Sequence, residues 1–169
     1  MARLVALKEH GYVRLQRVPV HPELELLSAE AFWEEGMSPP DFGLVSYRLM
    51  KRWNRHPVMT TLVSATPACA SLFSGHCCRV SREVECRHDV HLSQVYLLYR
   101  LRHPSLLPFW VFEERLRNER GRSTEMLPDA LIRSQSVVRA LEFGGSYSKD
   151  KLQAFHDYCA AKRIGYEIW

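Results

Sequence analysis

Two carboxylates, Asp129 and Glu142, are the residues of this chain whose type and spacing best suit shared chemistry. Asp129 lies directly before the apolar segment 130–134, and Glu142 lies inside the next apolar segment, 137–143. If these segments form a hairpin around the two residues between them, Asp129 faces Glu142 on one side of the sheet. A loop of four residues gives the same register, whereas a loop of three shifts it by one and separates the two carboxylates.

Two carboxylates directly opposite each other destabilise a sheet by roughly 0.2–1 kcal/mol unless a cation lies between them. Their hard oxygen atoms, completed by water or phosphate, are typical ligands of Mg²⁺ or Mn²⁺. Such a cation polarises a phosphoryl oxygen and lowers the pKa of a bound water. The alternative interpretation is a solvated pair at a strand edge, or an aspartate in the turn after Pro128.

Four basic residues follow one another at helical spacing in a segment where we predict a helix over residues 41–53. At positions i, i+3, i+4 and i+7 they share one helical face, which suits phosphate contacts that do not depend on DNA sequence. The alternative is a solvated basic face, and the neighbouring Tyr47 and Trp53 are interpreted as core or covering residues. The four basic residues are Arg48, Lys51, Arg52 and Arg55.

The elements that would position these side chains follow from hydrophobic periodicity and from start and stop signals. From residue 88 onward the pattern predicts the order α-β-β-β-α-β. The helices are predicted over 90–101 and 149–163, the latter capped by Ser148, and the strands over 109–117, 130–133, 137–143 and 166–169. Before them we predict a helix over 2–9 closed by Gly11, a strand over 12–18, a helix after Ser28 and the helix over 41–53.

The proline and aspartate at 128–129, with Glu142 in this element order, resemble the PD-(D/E)XK restriction-endonuclease-like superfamily. More narrowly, the chain resembles the plasmid replication-relaxation family. The similar stretches are His88-Asp89-Val90-His91-Leu92, Leu127-Pro128-Asp129-Ala130 and Leu141-Glu142-Phe143-Gly144-Gly145. The resemblance implies an α/β fold, with a restriction-endonuclease-like domain over 79–169 and a small, mainly helical, partial winged-helix-like region over 1–78. It also implies DNA as the partner, in a plasmid or mobile-element setting.

The same resemblance implies roles for individual residues. Asp129 and Glu142 would hold Mg²⁺ or Mn²⁺, and Asp89 would assist them, although an aspartate there also suits a helix N-cap. The catalytic lysine of the superfamily belongs two residues after the glutamate, where this chain has Gly144. Some members carry it on the next helix, so Lys149 or Lys151 would take its role; two surface lysines are the alternative.

Composition bounds these interpretations. With 169 residues, 46% of them hydrophobic, the chain is long and apolar enough for one domain or one domain with a small subdomain, which excludes disorder and coiled coil. A formal charge of +4 permits nucleic-acid binding without requiring it. An odd number of cysteines, five, and the lack of a long apolar stretch favour a cytoplasmic protein without a membrane span.

Two functions therefore remain open from the sequence. The first is a metal-dependent phosphodiester hydrolase of endonuclease type. The second is a catalytically inactive module of the same fold that binds DNA or a partner protein in a larger assembly.

Overall fold

The computed structural model of the protein describes residues 2–21, 24–73, 83–122 and 124–169. The domain boundary expected between residues 78 and 79 lies outside these ranges. The helices are α1 (Ala2–Glu9), α2 (Phe42–Lys51), α3 (Pro67–Leu72), α4 (Glu83–Arg102), α5 (Glu113–Arg120) and α6 (Lys149–Ala161), with a 3-10 helix at Pro104–Phe109. The strands are β1 (Val13–Val20), β2 (Ala31–Trp33), β3 (Val58–Ala65), β4 (Trp110–Phe112), β5 (Ala130–Arg133), β6 (Val138–Glu142) and β7 (Gly165–Ile168).

The chain forms two compact units that alternate along the sequence instead of meeting at one boundary. The first unit comprises Met1–Pro22 and Arg55–Val90, and the second comprises Glu23–Asn54 and His91–Trp169. Helix α4 therefore contributes its first residues to one unit and the rest to the other.

The first unit is built on an antiparallel pair of strands, β1 and β3. Helix α1 precedes β1 as the sequence predicted, and Gly11 closes it with a φ of 71°, a conformation that favours glycine. Val18 and Val20 of β1 pack with Cys86 of α4 in a small core. Strand β3 and helix α3 were not predicted, so helices and strands occur in similar measure where the sequence indicated mainly helix.

The second unit contains a mixed five-stranded sheet in the order β2-β7-β6-β5-β4. Strands β6 and β7 are parallel and are joined through α6, while the other neighbouring pairs are antiparallel. The mixed α/β class expected from the sequence is confirmed in this unit.

Helices cover both faces of this sheet. On one face α2 and α6 pack on the strands, with Leu49 of α2 and Leu152 of α6 fully buried. On the other face α4 packs through Val95 and Tyr99. Because side chains alternate along a strand, β4, β5 and β6 each contribute to both cores.

The register of β5 and β6 is the one predicted from the sequence. Ile132 pairs with Arg139, and Ala130 pairs with Leu141. Ser134 stabilises the tight turn between the strands, since its hydroxyl oxygen accepts a hydrogen bond from the backbone N–H of Val137 at 2.9 Å. The residues at 135 and 136 have little preference for a tight turn, and this side-chain hydrogen bond compensates by stabilising the turn.

The helix expected over about 41–53 is confirmed as α2, which ends two residues earlier, at Lys51. Three other element predictions are wrong in whole or in part. The helix expected after Ser28 is replaced by the short strand β2. The strand expected over 109–117 stops at Phe112, where α5 begins, because Glu113 and Arg117 form an i,i+4 ion pair that supports a helix. Helix α4 begins at Glu83 instead of residue 90.

Among the described residues, no helix combines the length and the hydropathy that crossing a membrane requires.

Candidate functional site

The two carboxylates of the sequence prediction lie on the same face of the second unit's sheet. Asp129 immediately precedes β5 and alternates with Leu131, while Glu142 ends β6 and alternates with Ala140. Both Leu131 and Ala140 belong to the core beneath α2 and α6. The register that brings Ala130 opposite Leu141 therefore brings Asp129 opposite Glu142.

Reciprocal hydrogen bonds fix the two carboxylates across the strand ends. Asp129 accepts from the backbone N–H of Phe143 through Oδ2 at 2.7 Å, and Glu142 accepts from the backbone N–H of Asp129 through Oε2 at 3.3 Å. Glu142 is 7% exposed. Each carboxylate is thus held by the backbone of the opposite strand, with little freedom to turn away.

A tyrosine that the sequence interpretation missed completes this arrangement. The hydroxyl of Tyr147 donates to Oε1 of Glu142 at 2.7 Å. Burial, together with the charges of Glu142 and Asp129, raises the pKa of Tyr147 far above its ordinary value, so the hydroxyl stays a donor. The residue type and position of Tyr147 could have identified it from the sequence. A tyrosine in a short loop between a strand and a helix needs a hydrogen-bond partner for its hydroxyl when its ring is covered.

The structure distinguishes the two candidate lysines. The ammonium of Lys151 lies 3.3 Å from the ring centroid of Tyr147, the residue that binds Glu142. Lys149, at the first position of α6, is exposed and makes no hydrogen bond, ion pair or ring contact with the described residues. Ser148 caps α6 as predicted, because its side chain accepts from the backbone N–H of Lys151 at 3.3 Å.

Gly144 stands where the superfamily pattern has its lysine, and it is buried in a close contact with α2. A Cβ atom at this position would lie 2.7 Å from Cδ1 of Leu49 and 3.3 Å from Cγ2 of Ile168. Leu49 is fully buried, so its methyl groups have no open space to enter. Any larger residue at position 144 would therefore force Leu49 to shift within the core.

Asp89 belongs to the first unit, whereas the carboxylate pair belongs to the second. It lies in the interior of α4, so the alternative interpretation as an N-cap is wrong. Its Oδ1 lies 3.7 Å from Nδ1 of His88. Assistance by Asp89 to Asp129 and Glu142 stays a prediction.

The four basic residues of the predicted stripe do not share one helical face. Helix α2 ends at Lys51. Of the four basic residues, only Arg48 and Lys51 lie on this helix, and both side chains are exposed. Arg55 lies beyond the helix, in the first unit.

Arg52 instead belongs to the interior of the second unit. It donates through Nη2 to the carbonyl oxygens of Gly144 and, at 2.9 Å, of Trp169. Its guanidinium lies 4.6 Å from the ring centroid of Phe143. Burial lowers the pKa of Arg52 to about 10. Arg52 is thus an anchor of the strand ends and not an exposed phosphate ligand.

The donor set at Asp129 and Glu142 fits a hard divalent cation. It consists of carboxylate oxygens only, and Mg²⁺ and Mn²⁺ accept one or two carboxylates with water or phosphate in the remaining positions. Within the described residues, no group of three or more His, Cys, Asp or Glu side chains is arranged to hold a metal. Asp129 and Glu142 are a pair, one side chain short of such a group.

Comparisons of this chain with protein-family models, with curated proteins and with solved structures found no match.

Proposed function

We propose that the second unit is a restriction-endonuclease-like core and that the protein acts on DNA as a metal-dependent phosphodiester hydrolase of plasmid or mobile-element type. The observation that carries the proposal is the opposition of Asp129 and Glu142 on one sheet face, at the ends of β5 and β6. The strand order from β4 to β7 and the parallel β6-α6-β7 crossover are consistent with such a core.

In this proposal Asp129 and Glu142 hold Mg²⁺ or Mn²⁺. When bound, the cation polarises a phosphoryl oxygen of the substrate and acidifies an attacking water. Tyr147 keeps Glu142 oriented through the hydroxyl bond of 2.7 Å. Lys151, held over the Tyr147 ring, replaces the lysine that Gly144 excludes and orients the attacking water beside the phosphate.

A cleavage assay with matched variants tests the proposal. Supercoiled plasmid and single-stranded circular DNA are incubated with Mg²⁺ or Mn²⁺, and nicked or linear products are quantified. We expect Asp129→Asn and Glu142→Gln to lower the cleavage rate by about 100-fold or more, because each removes a charged ligand. Lys151→Ala should lower it by roughly 100-fold, and Lys149→Ala by much less.

The matched controls are Glu114→Gln, on an exposed residue of α5, and Lys162→Ala, at the end of α6. Both should cleave like the wild type. Equal cleavage by all variants would identify a contaminating nuclease, and no cleavage by the wild type with either metal would contradict the hydrolase proposal.

A non-catalytic module that binds DNA or a partner protein is the second candidate, and one observation favours it. The backbone N–H groups of Phe143 and Asp129 already bind the two carboxylates, which holds the ends of β5 and β6 together without a cation. This candidate predicts salt-sensitive DNA binding with no cleavage, and unchanged binding in Asp129→Asn.

A further inference from the structure

Helix α2 exposes an aromatic and basic stripe in place of the stripe predicted from the sequence. Its buried side is formed by Phe42, Val45, Ser46 and Leu49. The opposite side carries exposed residues at i, i+3, i+4 and i+7, the spacing of one helical face. These four residues, named here the α2 stripe, are Leu44, Tyr47, Arg48 and Lys51.

Tyr47 is the central feature of the α2 stripe. Tyr47 is 60% exposed, so of the two interpretations, core or covering residue, the core one does not hold for Tyr47. The ammonium of Lys51 lies 5.8 Å from its ring centroid, one turn along the helix. Arg48 is its neighbour in sequence and is also exposed. An open aromatic ring with one cation near it and a second cation on the same side of the helix is a combination that binds an unpaired base together with its phosphates.

The buried side of the same helix contacts residues that follow Glu142 in the chain. Ser46 donates through its hydroxyl to the carbonyl oxygen of Tyr147 at 2.7 Å. Leu49 packs against position 144, two residues after Glu142. The α2 stripe is therefore carried by the helix that supports the loop of Tyr147, the residue bonded to Glu142.

We propose that the α2 stripe binds single-stranded DNA, with Tyr47 stacking on a base and Arg48 and Lys51 contacting phosphates. An exposed tyrosine ring can stack only on a base that is out of the duplex, which distinguishes a single strand from a double helix. The inference rests on the function proposed above and deepens it, since it names unpaired DNA as the form of DNA that the protein binds.

Binding measured without metal separates this inference from the proposal of cleavage. In EDTA, fluorescence anisotropy of a labelled oligo(dT) is compared with that of a labelled hairpin duplex. Tyr47→Ala should weaken binding of oligo(dT) about tenfold with little effect on the duplex, while Tyr47→Phe should keep wild-type affinity. Arg48→Ala and Lys51→Ala should each lower the salt slope of oligo(dT) binding by roughly 0.7.

Tyr158→Ala is the matched control, because Tyr158 also has a lysine one turn later, Lys162, at 5.3 Å from its ring centroid. It should bind oligo(dT) like the wild type. Thermal unfolding of Tyr47→Ala should match the wild type, since the ring is exposed.

Wild-type affinity of Tyr47→Ala for oligo(dT), or an equal loss for oligo(dT) and duplex, would overturn the inference. If no variant cleaves but oligo(dT) binding still depends on Tyr47, the hydrolase proposal fails and the single-strand site stands. If Glu142→Gln stops cleavage while Tyr47→Ala binds normally, the reverse holds.

Discussion

Glu142 and Glu167 are two buried glutamates on neighbouring parallel strands, and they point to opposite faces of the same sheet. Leu141 pairs with Glu167 across β6 and β7, so Glu142 is offset by one residue and projects to the other side. The two side chains are 7% and 9% exposed. Each accepts from a tyrosine hydroxyl, Glu142 from Tyr147 at 2.7 Å and Glu167 from Tyr99 at 2.8 Å.

The two glutamates differ in the charged side chain that faces each of them from a neighbouring strand. Glu167 accepts from the guanidinium of Arg139 at 3.0 Å and from the indole N–H of Trp169 at 2.9 Å, so its charge is compensated. Glu142 lies opposite a second carboxylate, Asp129, across the strand pair. Burial and a tyrosine partner are common to both residues, and the sign of the neighbouring charge separates a structural glutamate from a candidate metal ligand.

The largest expected effect concerns stability. Glu167→Gln should lower the free energy of unfolding by about 2 kcal/mol, because the partly buried charge of Arg139 then keeps only the exposed Glu34 as its partner. Glu142→Gln should change it by less than about 1 kcal/mol, since it also relieves the repulsion from Asp129. Urea unfolding of both variants measures the difference, and equal losses would mean that both glutamates are structural.

The next largest effect is the stabilisation of the protein by a bound cation, which should depend on Glu142 and not on Glu167. At tenfold excess over its dissociation constant, Mg²⁺ or Mn²⁺ should stabilise the wild type by about 1.4 kcal/mol. The stabilisation should vanish in Asp129→Asn and Glu142→Gln, which lack a ligand charge, and persist in Glu167→Gln. Thermal unfolding with and without metal is the measurement. A shift that survives in Glu142→Gln would assign the cation to another site.

The smallest expected effect is a pH dependence of stability that comes from the thiol of Cys159, whose pKa responds to the negative charge of Glu142. Burial, and to a smaller degree the charge of Glu142, raise the pKa of Cys159 to about 12. The folded protein thus holds this proton more tightly than the unfolded chain, so the contribution to stability is complete below the ordinary thiol pKa. It is lost as the pH rises from about 9 toward 12.

Between about pH 8 and about pH 9.5, the wild type should lose about 1 kcal/mol more free energy of unfolding than Cys159→Ala. Urea unfolding under reducing conditions at both pH values gives the two losses. Only the change with pH is compared, because the substitution also leaves a cavity in the core. Equal losses in the two proteins would contradict the raised pKa.

Features set by local chemistry were predictable from the sequence. The register of β5 and β6 follows from two apolar segments with a short polar break, and the start of α6 follows from Ser148 as its cap. Helix α1 ends at the glycine expected to close it. In each case the residues that interact are close together in the sequence, so the structure can be predicted from one short stretch.

Features set by distant partners were not predictable. Arg52 has the spacing of an exposed helical residue, but its partners are the carbonyl oxygens of Gly144 and Trp169. Strand β2 is only three residues long, and it exists through its pairing with β7, more than a hundred residues later. The contact of Ser46 with the carbonyl of Tyr147 likewise joins residues that no local pattern connects.

The contact between Leu49 and Gly144 also constrains which substitutions this chain can accept. A lysine at position 144 would place its Cβ atom 2.7 Å from Cδ1 of Leu49, so the buried leucine would have to shift. A smaller residue at position 49 would make room, but that change alone removes a fully buried side chain from the core under α2. A lysine at position 144 therefore costs stability, whereas a lysine on α6 leaves this packing untouched.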